Sequence, residues 1–151
     1  MSAKYTAMQI ADWFLAHNRM AIAEMGGELI SNMKLQKLLY YAQGSYMAIS
    51  GDILFNDPIV AWKHGPAVNA VFQKYKDSGS GGIEHDGCIL PDFTDETENI
   101  LEQVHEVFGQ YSAWKLREMT RNEAPWIATE QGMEISPSKI KDYFLEHHVV
   151  D

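Results

Sequence analysis

The stretch Met33-Lys34-Leu35-Gln36-Lys37-Leu38-Leu39-Tyr40-Tyr41-Ala42-Gln43 decides the fold class of this chain. Its apolar side chains recur every three or four residues and continue to Ile49, so they share one side of a helix. Ser31 or Asn32 can cap the start of this helix, and Gly51 can end it. The two lysines of the stretch leave the apolar stripe, so we expect both on the opposite side of the helix.

Similar spacing predicts further helices on both sides of this segment. Their expected starts are Thr6, Gly65-Pro66, Thr94 or Asp95, Ser112, Pro125-Trp126 and Ser136-Pro137. The stripe of the helix after Thr94 includes Val107 as a predicted core residue. Two short apolar runs around Asn56-Asp57-Pro58 are either extended segments or a small hairpin, and Cys88-Ile89-Leu90 is a candidate strand. The sequence predicts a mainly α fold: a single compact helical domain of about six helices over residues 1–151, with at most a short two- or three-stranded β element.

Composition excludes several classes of protein. The chain has 151 residues, of which 46% are hydrophobic and 22% are charged, which is typical of an ordered globular domain. A single cysteine excludes an internal disulfide and any multi-cysteine metal site. No apolar run approaches the roughly 18 residues of a membrane span, and the N-terminal residues lack the apolar core of a secretory signal. We therefore expect a cytoplasmic protein with no membrane partner.

Charge is distributed unevenly along the sequence. Residues 1–80 hold seven basic and six acidic residues, 7 − 6 = +1, whereas residues 81–151 hold five and fifteen, 5 − 15 = −10. The interval from Glu84 to Glu106 contains eight carboxylates and no lysine or arginine. Such a block repels phosphate backbones, which argues against nucleic-acid binding by the isolated chain. It is either a solvated surface or a surface that steers a basic protein partner, and both interpretations stay open.

The sequence contains no recognisable catalytic motif. It has no nucleophile elbow, phosphate-binding loop or His-Glu-x-x-His motif. His85 and Cys88 are three residues apart, but no second ligand pair accompanies them, and nothing orients a base toward Cys88. We predict no catalytic residues, no cofactor, no metal, and a protein that is not an enzyme.

Three segments of the sequence combine aromatic residues with charged residues or a Gly-Pro pair, and none of them matches a catalytic motif. They are Met33 to Gln43, Ile59 to Pro66, and Thr120 to Trp126. Their aromatic side chains either pack in the core, as large hydrophobic residues usually do, or form a groove for a partner. Under the first interpretation, Glu123 is a helix cap or a member of a buried ion pair.

In this order, the three segments resemble the SocA-like antitoxin domain, also called the Panacea domain and earlier known as phage-associated GepA-like. The resemblance rests on Lys34 to Gln43, Ala61 to Pro66 and Glu123 to Trp126, with the aromatic helix around Ile140 to Phe144, and it extends from about Tyr5 to His147. Ala67-Val68-Asn69 departs from the more apolar run of the family. Arg121 stands where the family pattern has histidine, which puts any role of that histidine in doubt here.

The resemblance implies an antitoxin of a toxin–antitoxin system, encoded beside its toxin and often on a prophage. Such a protein neutralises its cognate protein toxin by direct binding or as an adaptor to a Clp-type protease. The motif residues expected to contact the partner are Lys34, Gln36, Lys37, Tyr40, Tyr41, Trp62, Gly65, Pro66, Glu123, Pro125 and Trp126. Among them we expect Tyr40, Tyr41 and Trp62 to be exposed anchors, with the acidic stretch complementing a basic toxin cleft. A DNA-binding regulator of its own operon, a hydrolase or transferase on a helical scaffold, and a phage-associated protein of another role are the alternatives.

Overall fold

Helices dominate the computed structural model, which describes residues 3–84 and 90–148. The elements are α1 (Ala7–Met25), α2 (Asn32–Ser50), β1 (Val60–Trp62), β2 (Gly65–Ala67), α3 (Asn69–Tyr75), α4 (Asp95–Phe108), α5 (Ala113–Arg121), α6 (Ala124–Ile127) and α7 (Pro137–His147), with a 3₁₀ turn at Lys76–Ser78. The prediction of a mainly helical domain with a minimal sheet is confirmed; the described residues form seven α-helices instead of about six.

Most helix starts lie where the sequence placed them. Thr6 forms a complete capping box with Gln9 at the start of α1. The side chains of Ser31, Thr94 and Ser112 each accept a hydrogen bond from the backbone of the first helical turn that follows. The last helix begins at Pro137 as predicted, although its preceding serine makes no such bond.

Helix α2 is the central element of the fold. It packs against α1, α3, α4, α5, α7 and β2. Every residue from Leu35 to Gly44 is buried, which covers the whole circumference of the helix and not only its apolar side. The expectation that Lys37 faces away from the core is therefore wrong, because α5 and β2 cover that side as well. Lys34, one turn earlier, is half-buried.

The contact between α2 and α7 depends on a glycine. A Cβ atom at Gly44 would lie 2.5 Å from the ring of Phe144, which is itself fully buried. The missing side chain lets the ring lie directly against the α2 backbone and brings the C-terminal helix close to the centre of the molecule.

The Gly65-Pro66 segment begins a strand, so the predicted helix start there is wrong. β1 and β2 pair in antiparallel register, with Trp62 opposite Gly65 and Ala61 opposite Pro66. Gly65 has φ +112°, and a Cβ there would lie 2.8 Å from atoms of both Lys37 and Thr120, so helix α3 begins only at residue 69. The segment 132–135 pairs along the other side of β1 through backbone hydrogen bonds.

Two predicted core residues lie at the surface. Ile49, at the end of α2, and Val107, near the end of α4, are each 48% exposed. They line a shallow groove between the ends of these helices and α7. No helix among the described residues is long and apolar enough to span a membrane. His85, Cys88 and Ile89 lie outside the described residues, so the candidate strand and ligand pair there are not tested; Leu90 is not in a strand.

Candidate functional site

Polar side chains of α2 hold the neighbouring segments in place. The Gln36 carboxamide oxygen accepts a hydrogen bond from the backbone N–H of Val68 at 2.8 Å. The Lys37 ammonium donates to the Pro66 carbonyl at 3.0 Å, and the Lys34 ammonium donates to a backbone carbonyl at the end of α4. Three of the predicted partner-binding residues thus tie the hairpin and α4 to the central helix.

Glu123 is the centre of a buried hydrogen-bond cluster. Tyr40 donates to one of its carboxylate oxygens and Tyr41 to the other, both at 2.9 Å, while His148 Nε2 lies 3.2 Å from the second oxygen. Burial and the adjacent carboxylate raise the pKa values of both tyrosines well above the ordinary range, so their hydroxyls stay protonated donors. The cluster joins α2, the start of α6 and the end of α7.

The expectation that Tyr40 and Tyr41 are exposed anchors is wrong. Both side chains are fully buried, and Tyr41 stacks on Phe108 with ring centroids 3.8 Å apart. Their hydroxyls find a partner inside the protein, at Glu123, which removes any need to lie at the surface. The interpretation of these aromatics as core residues is confirmed.

The tryptophans of the motif lie at the boundary of the core. Trp62 and Trp126 are half-buried, and the indole N–H of Trp126 donates to the Trp62 carbonyl at 2.8 Å. The Arg121 guanidinium lies over the Trp126 ring at 5.2 Å, and Pro125 in α6 is buried. Trp62 is thus the only one of the three proposed anchors with an accessible ring.

A pocket of about 310 Å³ opens beside Trp62. Its walls come from the start of α2, the hairpin, α3, the 79–80 segment and the start of α5; they include Ser31, Asn32, Met33, Lys37, Trp62, His64, Gly65, Phe72, Gly79, Ser80 and Ala113. Trp62 and Phe72 meet edge to face, with centroids 5.1 Å apart. We call this cavity the Lys37 pocket.

A buried cation forms part of the Lys37 pocket. The Lys37 side chain is only 2% exposed, and its ammonium makes one hydrogen bond among the described residues. Burial, and to a lesser degree the nearby Arg117, lower the pKa of Lys37 to about 7. Lys37 therefore lines a mostly apolar cavity, and its ammonium, with three N–H donors, has one acceptor among the described residues.

Basic residues lie near His64, which lines the pocket. Arg117 Nε donates to His64 Nδ1 at 3.3 Å, and its guanidinium lies 4.6 Å from the ring of Trp114, which is 64% exposed. The pKa of His64 is lowered by partial desolvation and by the positive charges of Arg117, Lys37, Lys63 and Arg121. Sequence reasoning missed this cluster because Arg117 is distant in sequence; the three-residue spacing of Trp114 and Arg117 on one short helix was the available signal.

Five of the eight carboxylates of the predicted acidic stretch lie on α4, and Asp86 lies outside the described residues. Asp95, Glu96, Glu102 and Glu106 are exposed on this helix. No carboxylate of α4 forms a salt bridge within residues 3–84 and 90–148. The carboxylates of this face therefore produce a negative electrostatic potential on the side of the fold formed by α4.

The described residues contain no group of three or more histidine, cysteine, aspartate or glutamate side chains that is able to hold a metal ion. The features that bear on function are instead the Lys37 pocket with its aromatic and basic rim, and the acidic face of α4.

Comparisons with known proteins point to one family. Residues 35–127 match the family model described as Antitoxin SocA-like, Panacea domain. A curated relative named Antitoxin SocA, from Caulobacter vibrioides (strain NA1000 / CB15N), is 42% identical over 135 aligned positions, and the match covers 76% of this chain and 72% of the relative. No solved structure matches the chain. The family match begins in α2 and ends in α6, so it contains the hairpin, Glu123 and the part of the Lys37 pocket that follows Met33 in the sequence.

Proposed function

Because the chain belongs to the SocA-like antitoxin family with a Panacea domain, we propose that it is an antitoxin that neutralises a cognate protein toxin by binding it directly. The observation that carries this proposal is the similarity to the relative named Antitoxin SocA, which spans most of both chains. Neutralisation by binding requires a protein surface that covers or distorts the toxin, and no covalent step on the antitoxin.

Two exposed features support contact with another protein. The acidic face of α4 offers long-range attraction to a toxin with a basic cleft. Trp114 and the accessible part of Trp62 are aromatic side chains of the type that dominates binding energy at interfaces. We propose that the toxin contacts one or both of these surfaces, and that the buried Tyr40 and Tyr41 act only by supporting the fold.

The experiment that tests the antitoxin role uses the reading frame adjacent to the gene. We expect this neighbour, expressed alone, to stop growth, and co-expression of this chain to restore it. The double variant Trp62→Ala/Trp114→Ala tests the aromatic surface, with Met20→Ala/Met25→Ala as a control that removes two exposed apolar side chains from α1. A neighbour that is harmless alone, or a toxic one that this chain does not counteract, contradicts the proposal.

Delivery to a protease requires that protease, whereas direct capture does not. In a host that lacks Clp-type proteases, a directly binding antitoxin still protects, and the toxin accumulates in a complex with it. An adaptor fails to protect in that host. We expect protection and a stable co-purified complex.

A further inference from the structure

We propose that the Lys37 pocket is a binding site for a carboxylate carried on an apolar or aromatic body, such as the last residue of a polypeptide that ends in an apolar side chain. This inference goes beyond the proposed function, because it concerns a ligand of the isolated protein and does not require a toxin.

The buried ammonium supplies the preference for an anion. Lys37 has two N–H donors without an acceptor among the described residues and no acidic partner within salt-bridge distance. A buried charge that is incompletely hydrogen-bonded is costly to the fold, and a carboxylate beside it removes part of that cost. The first turn of α2 also lines the pocket, and the helix dipole adds a partial positive charge there.

The walls supply the preference for an apolar body. Trp62, Phe72 and Met33 surround the cavity, and its volume of about 310 Å³ lies at the lower end of the range for small-ligand sites. That volume admits one large side chain with its carboxylate. Because Lys37 is only 2% exposed, the anion has to enter the cavity to reach it. A chain end or a free acid does this more readily than the middle of a polypeptide segment.

The test uses two probes that differ only in charge: N-acetyl-L-phenylalanine and N-acetyl-L-phenylalaninamide. Their binding to the full chain at pH 6.5 is followed by the fluorescence of the tryptophans and by chemical-shift changes. We expect the acid to bind at least tenfold more tightly than the amide, with the largest shifts at Trp62, Phe72 and Lys37. Equal affinities for the two probes overturn the proposal.

Variants assign the preference to particular residues. Lys37→Met is expected to abolish the advantage of the acid over the amide, whereas Trp62→Ala is expected to weaken both probes equally. Lys34→Met is the matched control, because Lys34 lies one turn away on α2, also donates to a backbone carbonyl, and does not line the pocket. If a folded Lys37→Met variant keeps the advantage of the acid, the proposal is wrong. If this variant does not fold, the proposal is tested by two other results: the largest chemical-shift changes in the wild type have to lie at Trp62, Phe72 and Lys37, and Trp62→Ala has to weaken both probes equally.

Proton uptake on binding gives a second readout. Binding of the acid at pH 8.5 is expected to take up a proton, seen as a heat of binding that varies with the ionisation enthalpy of the buffer. His64, Lys63, Arg117 and Arg121 also face this region, so His64→Gln separates the imidazole from the lysine. Uptake that Lys37→Met removes supports binding next to Lys37, whereas uptake that this variant retains contradicts it.

Peptides distinguish the two sources of such a ligand. An eight-residue peptide that ends in phenylalanine with a free carboxylate is compared with its amidated form and with the single-residue acid. Tighter binding of the free peptide than of the single residue assigns the site to a polypeptide end; equal binding assigns it to a free acid. A Lys37→Met variant that loses these probes but still protects cells leaves the proposed antitoxin function intact.

Discussion

Two buried ionisable residues, Lys37 and Glu123, are accommodated in opposite ways. The carboxylate of Glu123 has hydrogen-bond partners on both oxygens, from Tyr40, Tyr41 and His148. Among the residues that the structure describes, the ammonium of Lys37 has one partner, the Pro66 carbonyl. Burial of Lys37 therefore lowers the free energy of unfolding more than burial of Glu123 does, because hydrogen bonds to both carboxylate oxygens stabilise the buried charge of Glu123, whereas the ammonium is only partly hydrogen-bonded.

The stability of the fold is expected to rise with pH because of Lys37. Its pKa of about 7 in the folded protein lies below the ordinary lysine value of 10.5. Between these values the unfolded chain binds a proton that the folded chain does not, so raising the pH favours folding by up to about 1.4 kcal/mol per pH unit. Urea unfolding of the wild type and of Lys37→Met, at pH 7.5 and 9.5, measures this slope.

Lys37→Met should flatten that slope, and the exposed Lys115→Met should leave it unchanged. The window ends at pH 9.5 because above about pH 10 the unfolded chain loses tyrosine protons that Tyr40 and Tyr41 keep when folded. That effect has the opposite sign and lowers stability with rising pH. A wild-type slope no steeper than that of Lys37→Met rules out the perturbed lysine.

Removing one hydroxyl from the Glu123 cluster is expected to destabilise the protein. Tyr41→Phe leaves one carboxylate oxygen with His148 as its one partner among the described residues, which costs about 1 to 2 kcal/mol of unfolding free energy. Chemical unfolding at pH 7 measures the loss. Tyr111→Phe is the control, since the Tyr111 hydroxyl forms no hydrogen bond within the part of the chain that the structure describes. Equal stability of the two variants contradicts a supporting role for the cluster.

At the scale of elements, helix starts were readable from sequence and the surroundings of α2 were not. Thr6, Ser31, Thr94 and Ser112 cap helices because their signals lie within four residues of the bonds they make. The burial of Lys37 depends on the hairpin and α5, which are distant in sequence. A helical period distinguishes one face from the rest but does not say how many elements cover the helix.

The Gly65-Pro66 segment shows why the local pattern failed there. Glycine followed by proline is typical of a helix start as well as of a turn. Contacts from outside the segment determine which structure forms: Pro66 pairs with Ala61, and Lys37 and Thr120 approach Gly65 closely. The exposed arrangement first expected for the aromatic motif failed similarly, because Glu123, the partner of Tyr40 and Tyr41, is more than eighty residues away.

The packing of α7 on α2 predicts the effect of a single methyl group. Gly44→Ala improves helix propensity but places Cβ 2.5 Å from the buried Phe144 ring, so we expect a net loss of about 2 kcal/mol or more. Thermal and urea unfolding measure it. Gly44→Ala should cost less stability when it is introduced into the Phe144→Leu variant than when it is introduced into the wild type. If Gly44→Ala is as stable as the wild type, the two helices do not approach as closely as the structure shows.

At the scale of the whole molecule, the charge is separated into an acidic helix and a basic region. The exposed carboxylates of α4 form no salt bridge with any described residue, whereas Arg117, Arg121, Lys63 and His64 lie near the Lys37 pocket. The linear charge count showed the first group but hid the second, because the basic residues come from two separate segments. The net charge of −9 therefore does not describe the field that a partner meets at the pocket.

This separation predicts how salt and charge reversal act on the proposed complex with the toxin. If a basic toxin approaches α4, Glu102→Lys/Glu106→Lys should lower the association rate constant about tenfold at low salt, with a smaller effect on dissociation. Stopped-flow or surface-based kinetics with the co-purified toxin measure both rates at two salt concentrations. Asp142→Lys/Glu146→Lys makes the same change in net charge on exposed positions of α7 and serves as the control. Equal slowing by both pairs means that only net charge matters, whereas slowing by neither moves the contact to the aromatic and basic region around Trp62.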